Sequence, residues 1–259
     1  MNTFFTPESW LENEINIIVV GAGGTGSAVL TELSQINYMI AAITEQQVSL
    51  NVEVYDADIV TQSNIGRQAF HVSDLGMNKA DVLVSRLNMY AGTNWTSIPR
   101  NFIPTDASVA RTDLIITCVD KAKVRADIGR FFKEDASSYR VRENLLWLDT
   151  GNDSSTSQVV LGHALDVKNK LPNVFDLYPQ LENIEDIDED SCSHVDALRK
   201  QSYGINKKTA LEATGLIWKL LREGSISHHG SFIDLNCATV KPLKIDPINW
   251  AILGYKEQA

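Results

Sequence analysis

Apolar positions in this chain fall into short runs that alternate with longer stretches of helical period. Residues 15–20 (Ile-Asn-Ile-Ile-Val-Val) form a run that ends on a glycine turn, the pattern of a buried parallel strand. From Gly24 to about Ile40, Ala28, Val29, Leu33 and Ile36 recur near helical spacing. Residues 51–55 predict a second strand, 78–91 a helix with Val82, Leu83 and Leu87 on one face, 113–119 a strand, 121–132 a helix and 145–148 another strand. Strands alternating with helices imply a parallel sheet with the ligand at the carboxyl ends of the strands.

The texture changes after Gly151-Asn152-Asp153. Residues 156–165 read as a strand and 166–195 as a long, acidic, proline-containing loop. Residues 205–223 carry the strongest helical pattern of this half, with Leu211, Ile217, Leu220 and Leu221 apolar and Gly224 placed to stop the helix. Residues 231–236 and 239–243 predict a final strand pair. The expected fold is α/β: a Rossmann-like, doubly wound, mainly parallel sheet with an antiparallel extension in the C-terminal half. Its expected parts are an N-terminal extension (1–14), a nucleotide-binding half (15–150) and a second half of the same domain (151–259).

Length and composition change this picture little. A chain of 259 residues, 44% apolar and 22% charged, suits one large domain with a substantial core. No apolar run approaches the ~20 residues needed to span a bilayer, and the first residues lack a basic segment, so no membrane association and a cytoplasmic location are expected. Cys118, Cys192 and Cys237 lie far apart with no Cys-x-x-Cys pair, which predicts neither a disulfide framework nor a structural zinc site. The net charge of −10 argues against nucleic acid as a partner. Charge distribution says more: no Lys or Arg precedes Arg67, and eight acids with no base lie between Lys170 and Arg199. An acidic run of this kind is a solvated loop or a surface that steers a basic partner.

The candidate chemistry lies between Gly21 and Asp120. The turn Gly21-Ala22-Gly23-Gly24-Thr25-Gly26-Ser27 lets backbone approach a phosphate and hands it to a helix N-terminus. The same letters satisfy the dinucleotide fingerprint, so this signal alone is weak. Asp56, after the second strand, suits a ribose hydroxyl, although it lies some 30 residues beyond Gly26, later than that fingerprint places its acid. Asn64, Arg67, Gln68 and Lys79 follow. An Arg and a Lys together suit a site that expels pyrophosphate, where charge builds on the leaving phosphates. Asp120 closes the strand at 113–119, where a carboxylate can hold Mg²⁺. These residues predict an ATP–Mg²⁺ site for attack on the α-phosphate. A nicotinamide-dependent, NAD(P)-type oxidoreductase is the second reading, and it leaves Asn64, Arg67 and Lys79 idle. A nucleotide-binding scaffold without catalysis is the third.

The string Asp56-x-Asp58-x-Val60-x-x-Ser63-Asn64-x-x-Arg67-Gln68 behind a Gly-x-Gly-Gly-x-Gly turn resembles the E1-like superfamily of ThiF, MoeB and ubiquitin-activating enzymes over roughly residues 15–125. Residues 206–224, His229 to Asn236 and Pro242 are similar in texture to the ThiF-related family of PRTRC cassettes, which also encode a small ubiquitin-like protein. The resemblance implies an adenylyltransferase acting on the C-terminal carboxylate of a small ubiquitin-like or sulfur-carrier protein, with a basic, glycine-rich tail threaded beneath the loop at 166–195. It implies ribose binding by Asp56, phosphate contacts by Asn64, Arg67, Gln68 and Lys79, Mg²⁺ at Asp120, and a homodimer. Thioester-forming relatives use a cysteine in the region of Cys192, with His194 available as proton acceptor; Glu189 and Asp190 oppose a thiolate there. Two departures stand out. The zinc-binding Cys-x-x-Cys pairs of many relatives are missing, and so is the arginine that simpler members donate from their N-terminal segment, which leaves Arg125 or Arg130 as substitutes. His228-His229, adjacent in a strand, point to opposite faces and read as structural.

Overall fold

The computed structural model describes residues 3–11, 13–183 and 202–255. Its elements, in chain order, are β1 (Phe4–Phe5), β2 (Glu14–Val20), α1 (Gly24–Ile43), β3 (Ser49–Tyr55), α2 (Lys79–Ala91), β4 (Thr96–Ile98), β5 (Leu114–Thr117), α3 (Ala122–Glu134), β6 (Leu146–Asn152), β7 (Thr156–His163), α4 (Val174–Leu177), α5 (Ile205–Glu223), β8 (Ser225–Ile226), β9 (His228–Asp234), β10 (Thr239–Lys244) and α6 (Pro247–Leu253).

One sheet holds eight strands in the order β10-β9-β7-β6-β5-β2-β3-β4. From β6 to β4 every pairing is parallel, and from β6 to β10 every pairing is antiparallel. The mainly parallel, doubly wound sheet with its antiparallel extension is therefore as the residue pattern predicts. The middle strands are apolar because helices cover both faces. Ile15, Ile17, Ile18, Val19 and Val20 of β2 are all buried, each contributing about 1.5–3 kcal/mol of transfer free energy. On one face α1 packs against α2 and α5; α3 packs against α4 and the 3-10 turn at Pro179–Asn183.

The chain leaves β2 for α1 and β3 on one side and returns to β5 on the other, so the sheet reverses direction of winding between β2 and β5. Ligands bind outside the strand ends at such a point. Two glycines make it possible. Gly21 has φ +95°, and a Cβ there would lie 2.8 Å from the Cys118 carbonyl oxygen; a Cβ on Gly26 would lie 1.9 Å from the Gly21 oxygen.

Three features differ from the sequence expectation. The stretch expected to be loop from residue 166 contains α4 and the 3-10 turn, because Val174, Phe175, Leu177 and Leu181 are buried where these two elements pack on α3. The rest of that stretch, including Cys192 and His194, lies outside the described residues. Strand β4 and helix α6 were not anticipated; α6 begins on an Asp246 cap and seats Trp250 in the core. The N-terminal extension is also structured: β1 pairs with β8, and Thr6 donates to the carbonyls of Leu220 (2.6 Å) and Gly224 (2.9 Å) at the end of α5. No described helix is long and apolar enough to cross a membrane.

Candidate functional site

Cys118 N–H donates to the Val20 carbonyl at 2.8 Å, so the end of β5 and the glycine turn after β2 are locked side by side. The turn then enters α1, whose N-cap residue Gly23 makes no side-chain cap. The first N–H groups of α1 are left to point at the space above the sheet, where a phosphate suits both their donors and the helix dipole. Strand β3 ends at Tyr55, and Asp56 turns back to meet the loop. Its carboxylate accepts from Ala22 N–H at 2.6 Å and from Asp58 N–H at 2.8 Å. Burial pushes the Asp56 carboxyl above its ordinary range, against the opposing pull of those two N–H donors and of Lys79. Asn78, the N-cap of α2, donates to the carbonyls of Asp56 (2.9 Å) and Asp58 (3.1 Å) and so ties α2 to this turn. Lys79, the first residue of α2, is buried; its Nζ lies 2.7 Å from Asp58, whose side chain is 70% exposed.

These groups line a cavity of about 880 Å³ at the carboxyl edge of β2, β3 and β5. Gly21, Gly23, Gly24, Asp56, Arg67, Gln68, Lys79 and Asp120 all border it. Arg67 and Gln68 arrive on a turn built by Asn64, which is itself buried: its Oδ1 accepts from the Thr61 N–H (2.8 Å) and hydroxyl (3.1 Å), while its carbonyl accepts the Gln68 N–H (2.9 Å). Asn64 and Ser27 stand behind the wall, the Ser27 hydroxyl donating to the Gly24 carbonyl at 3.1 Å. Three polar atoms on the wall, Arg67 Nε, Gln68 Oε1 and Asn152 Oδ1, are buried with no hydrogen-bond partner among the described residues. Buried polar atoms left this way in a cavity wall mark groups that a ligand completes.

A second cavity of about 600 Å³ lies beside the first, between α4, the 3-10 turn after it and the antiparallel strands. The two share Asp120 and Asn152. Asn152 donates through Nδ2 to the Thr25 hydroxyl (2.6 Å) and to Asn206 Oδ1 (2.7 Å), joining the end of β6, the start of α1 and the start of α5 at the junction. Neither Asn152 nor Asn206 stood out in the sequence, since each is a single amide in an ordinary setting. The dipeptide Gly151-Asn152 after an apolar strand was the one available signal.

The substitutes considered for an N-terminal arginine are both engaged elsewhere. Arg125 is buried, with Nε on Asp149 (2.8 Å) and Nη2 on the carbonyls of Val119 (2.5 Å) and Thr150 (2.9 Å). Arg130 pairs with Asp127 at 3.1 Å. Neither borders the first cavity, whereas Lys121, passed over in the sequence, does. The N-terminal segment is bound at the opposite edge of the sheet, a seven-residue strand or ~23 Å from the glycine turn. Burial pushes the Cys118 thiol up to about 12, which makes it an inert packing group. His229 is fully buried between the Leu161 carbonyl and Trp250 Nε1, a structural role as its position in the strand implied. Among the described residues no group of three or more His, Cys, Asp or Glu side chains is arranged to hold a metal ion. Asp120 is exposed and lies on both cavities, so it can offer its carboxylate to a cation carried by a nucleotide.

Comparison with known proteins places the chain among similar folds and sequences. Over 79 residues the chain is 32% identical to the NEDD8-activating enzyme E1 catalytic subunit of Dictyostelium discoideum, a stretch that covers 30% of this chain and 15% of that protein. The fold is shared with PaaA (TM-score 0.58, 15% identity, 89% of this chain and 64% of that one). It is shared as well with E. coli MccB, solved with ATP (TM-score 0.54, 15% identity, 93% and 67%) and with MccA (TM-score 0.58, 16% identity, 93% and 66%). The chain thus spans about two thirds of these solved chains and a small part of the curated relative. The ThiF family pattern matches residues 11–191, and the chain belongs to the ThiF family.

Proposed function

We propose that this protein adenylates the C-terminal carboxylate of a small ubiquitin-like or sulfur-carrier protein at the expense of ATP. The observation that carries the reading is the meeting of two cavities at Asp120 and Asn152. Adenylation needs two substrates that approach from different directions and touch at one atom, the α-phosphorus, and holding them so removes much of the barrier. ATP occupies the first cavity, its ribose on Asp56 and its phosphates over Gly23, Gly24 and Thr25 at the start of α1. The acyl tail occupies the second. A carboxylate oxygen attacks the α-phosphorus, the bond to the bridging oxygen breaks, and acyl-AMP and pyrophosphate result. Arg67 and Lys79 offset the charge that grows on the leaving pyrophosphate. Gln68 and Asn152 supply the unpartnered acceptors, and Asn64 holds the turn that aims Arg67. Mg²⁺ bound with the nucleotide would be held by Asp120 and would neutralise phosphate charge.

The residues weigh against hydride transfer, because that chemistry gives Arg67 and Lys79 nothing to do. The finer features of the reading are a homodimer, a cytoplasmic setting, a PRTRC-type context and transfer of the acyl group to Cys192. ATP–pyrophosphate exchange with Mg²⁺ tests the core of it, run with the small proteins encoded beside the gene. Exchange is expected to require one of them and to fall about 100-fold in Lys79→Met, the scale for removing a donor to developing charge. ATP binding with no exchange for any candidate would overturn adenylation in favour of a scaffold. A hydroxylamine-labile adduct, lost in Cys192→Ser, would mark the thioester route, and its absence with intact exchange would mark direct transfer.

A further inference from the structure

We infer that Lys121, the N-cap residue of α3, is the cation that holds the phosphate chain from the β5 side of the nucleotide cavity. The inference rests on the placement of ATP in that cavity. Across the sheet the cavity wall is laid out in a fixed order. Residues Asn101 to Pro104, after β4, form one end. Asp56 follows β3, the glycine turn follows β2, and Asp120 and Lys121 follow β5. A nucleotide with its ribose on Asp56 therefore sends its base toward Phe102 and its phosphates toward β5.

Lys121 is three residues beyond Cys118, the residue on which the glycine turn packs: the Cys118 carbonyl would lie 2.8 Å from a Cβ on Gly21. The same strand end thus carries both the floor of the phosphate-binding turn and this lysine. Charge favours a cation here. The wall carries the acids Asp56, Asp58, Asp120 and Asp127 against Arg67, Lys79 and Lys121. Two of these acids have a basic partner of their own: Asp58 pairs with Lys79 at 2.7 Å and Asp127 with Lys123 at 2.9 Å. A triphosphate adds further negative charge, which a cation on the β5 side of the wall offsets in part. The start of α3, a helix of 13 residues, favours an anion at the same place through its dipole.

Lys121 makes no side-chain cap on α3, so its removal takes no cap from the helix. The test is ATP binding with Mg²⁺ by isothermal titration calorimetry, with adenosine measured by competition against ATP. In Lys121→Ala, ATP is expected to bind about tenfold more weakly, the scale of one charge-assisted contact. Adenosine should bind as before, and Lys121→Arg should restore ATP to within about twofold. The neighbouring Lys123, paired with Asp127 at 2.9 Å and off the cavity, gives a control: Lys123→Ala should leave both ligands unchanged. An unchanged ATP affinity in Lys121→Ala would overturn the inference. So would an equal loss for ATP and adenosine, or failure of the wild-type protein to bind ATP. Lys121-dependent ATP binding without pyrophosphate exchange would instead sink adenylation and leave this inference standing.

Discussion

Two ion pairs of this protein, Lys79–Asp58 and Arg125–Asp149, each set one buried cation against one aspartate at 2.7–2.8 Å. They differ in what surrounds the acid. Asp58 is 70% exposed and faces the nucleotide cavity, whereas the Asp149 side chain is 1% exposed and also accepts the Thr117 hydroxyl at 2.5 Å. The guanidinium of Arg125 bonds two main-chain carbonyls besides, whereas Lys79 Nζ bonds its acid alone among the described residues. A buried network of this kind holds the ends of β5 and β6 at one separation, although Asp149 Oδ2 has no hydrogen-bond partner among the described residues. An open pair can exchange its carboxylate for a phosphate. The cation whose partner stays in water is the one placed to meet a ligand.

The comparison breaks most visibly at Arg125. Arg125→Met leaves Asp149 buried and unpaired, and the expected loss of stability is about 3–5 kcal/mol. Urea denaturation measures it. A loss below about 1 kcal/mol would mean that Asp149 needs no countercharge and that the pair is not the clamp described. Burial governs two histidines in the antiparallel half as well. His229 donates from Nδ1 to the Leu161 carbonyl (2.7 Å) and accepts Trp250 Nε1–H at Nε2 (2.8 Å). His163 accepts the Leu171 N–H at Nδ1 (2.9 Å). A second proton on either ring would face a donor. Burial pushes both down to about 4 from the usual 6.5. The unfolded chain therefore binds more protons between those values, and stability rises with pH there. Stability is expected to be fully present above about pH 6.5 and to be lost as pH falls toward 4, on the order of 3 kcal/mol for each histidine. Denaturation midpoints across that window check it. A flat profile would mean that both rings take up a proton in the folded protein as readily as in the unfolded chain.

The contrast also explains what was legible in the sequence. Strands β2, β3 and β5, helices α1 and α2, and the residues from Gly21 to Lys79 announce themselves because backbone geometry and charge leave local traces. An apolar run ends on a glycine turn, and an Asp, an Asn-x-x-Arg-Gln and a Lys follow in order. Long-range closure leaves none. The junction of Asn152, Thr25 and Asn206 joins positions 25, 152 and 206, and no window of the chain contains it. Helix α4 was hidden because its acidic, proline-bearing surroundings outweigh four residues of helix; the buried contacts of Phe175 and Leu177 decide the matter instead. Arg125 was read as a spare cation because a sequence shows its charge and conceals its partner. Lys121 was passed over for the converse reason, since nothing local distinguishes a lysine at a cavity rim from one in solvent.

The smallest expected effect is the sharpest probe of the comparison. Asp58→Asn removes the acid from the open pair and leaves the Asp58 carbonyl free to keep its bonds from Lys79 N–H (2.9 Å) and Asn78 Nδ2 (3.1 Å). The lost carboxylate is largely in water, so stability should change by less than about 1 kcal/mol. Lys79 is then released from its internal partner, and ATP should bind as tightly as in wild type or up to about threefold more tightly, because no carboxylate competes with phosphate for the ammonium. Titration calorimetry with ATP and Mg²⁺ reads this directly. Weaker ATP binding in Asp58→Asn would show that the carboxylate holds the ammonium in place for the phosphates. The pair would then be a preformed clamp, and partner exposure would lose its value as the mark of a ligand-facing cation.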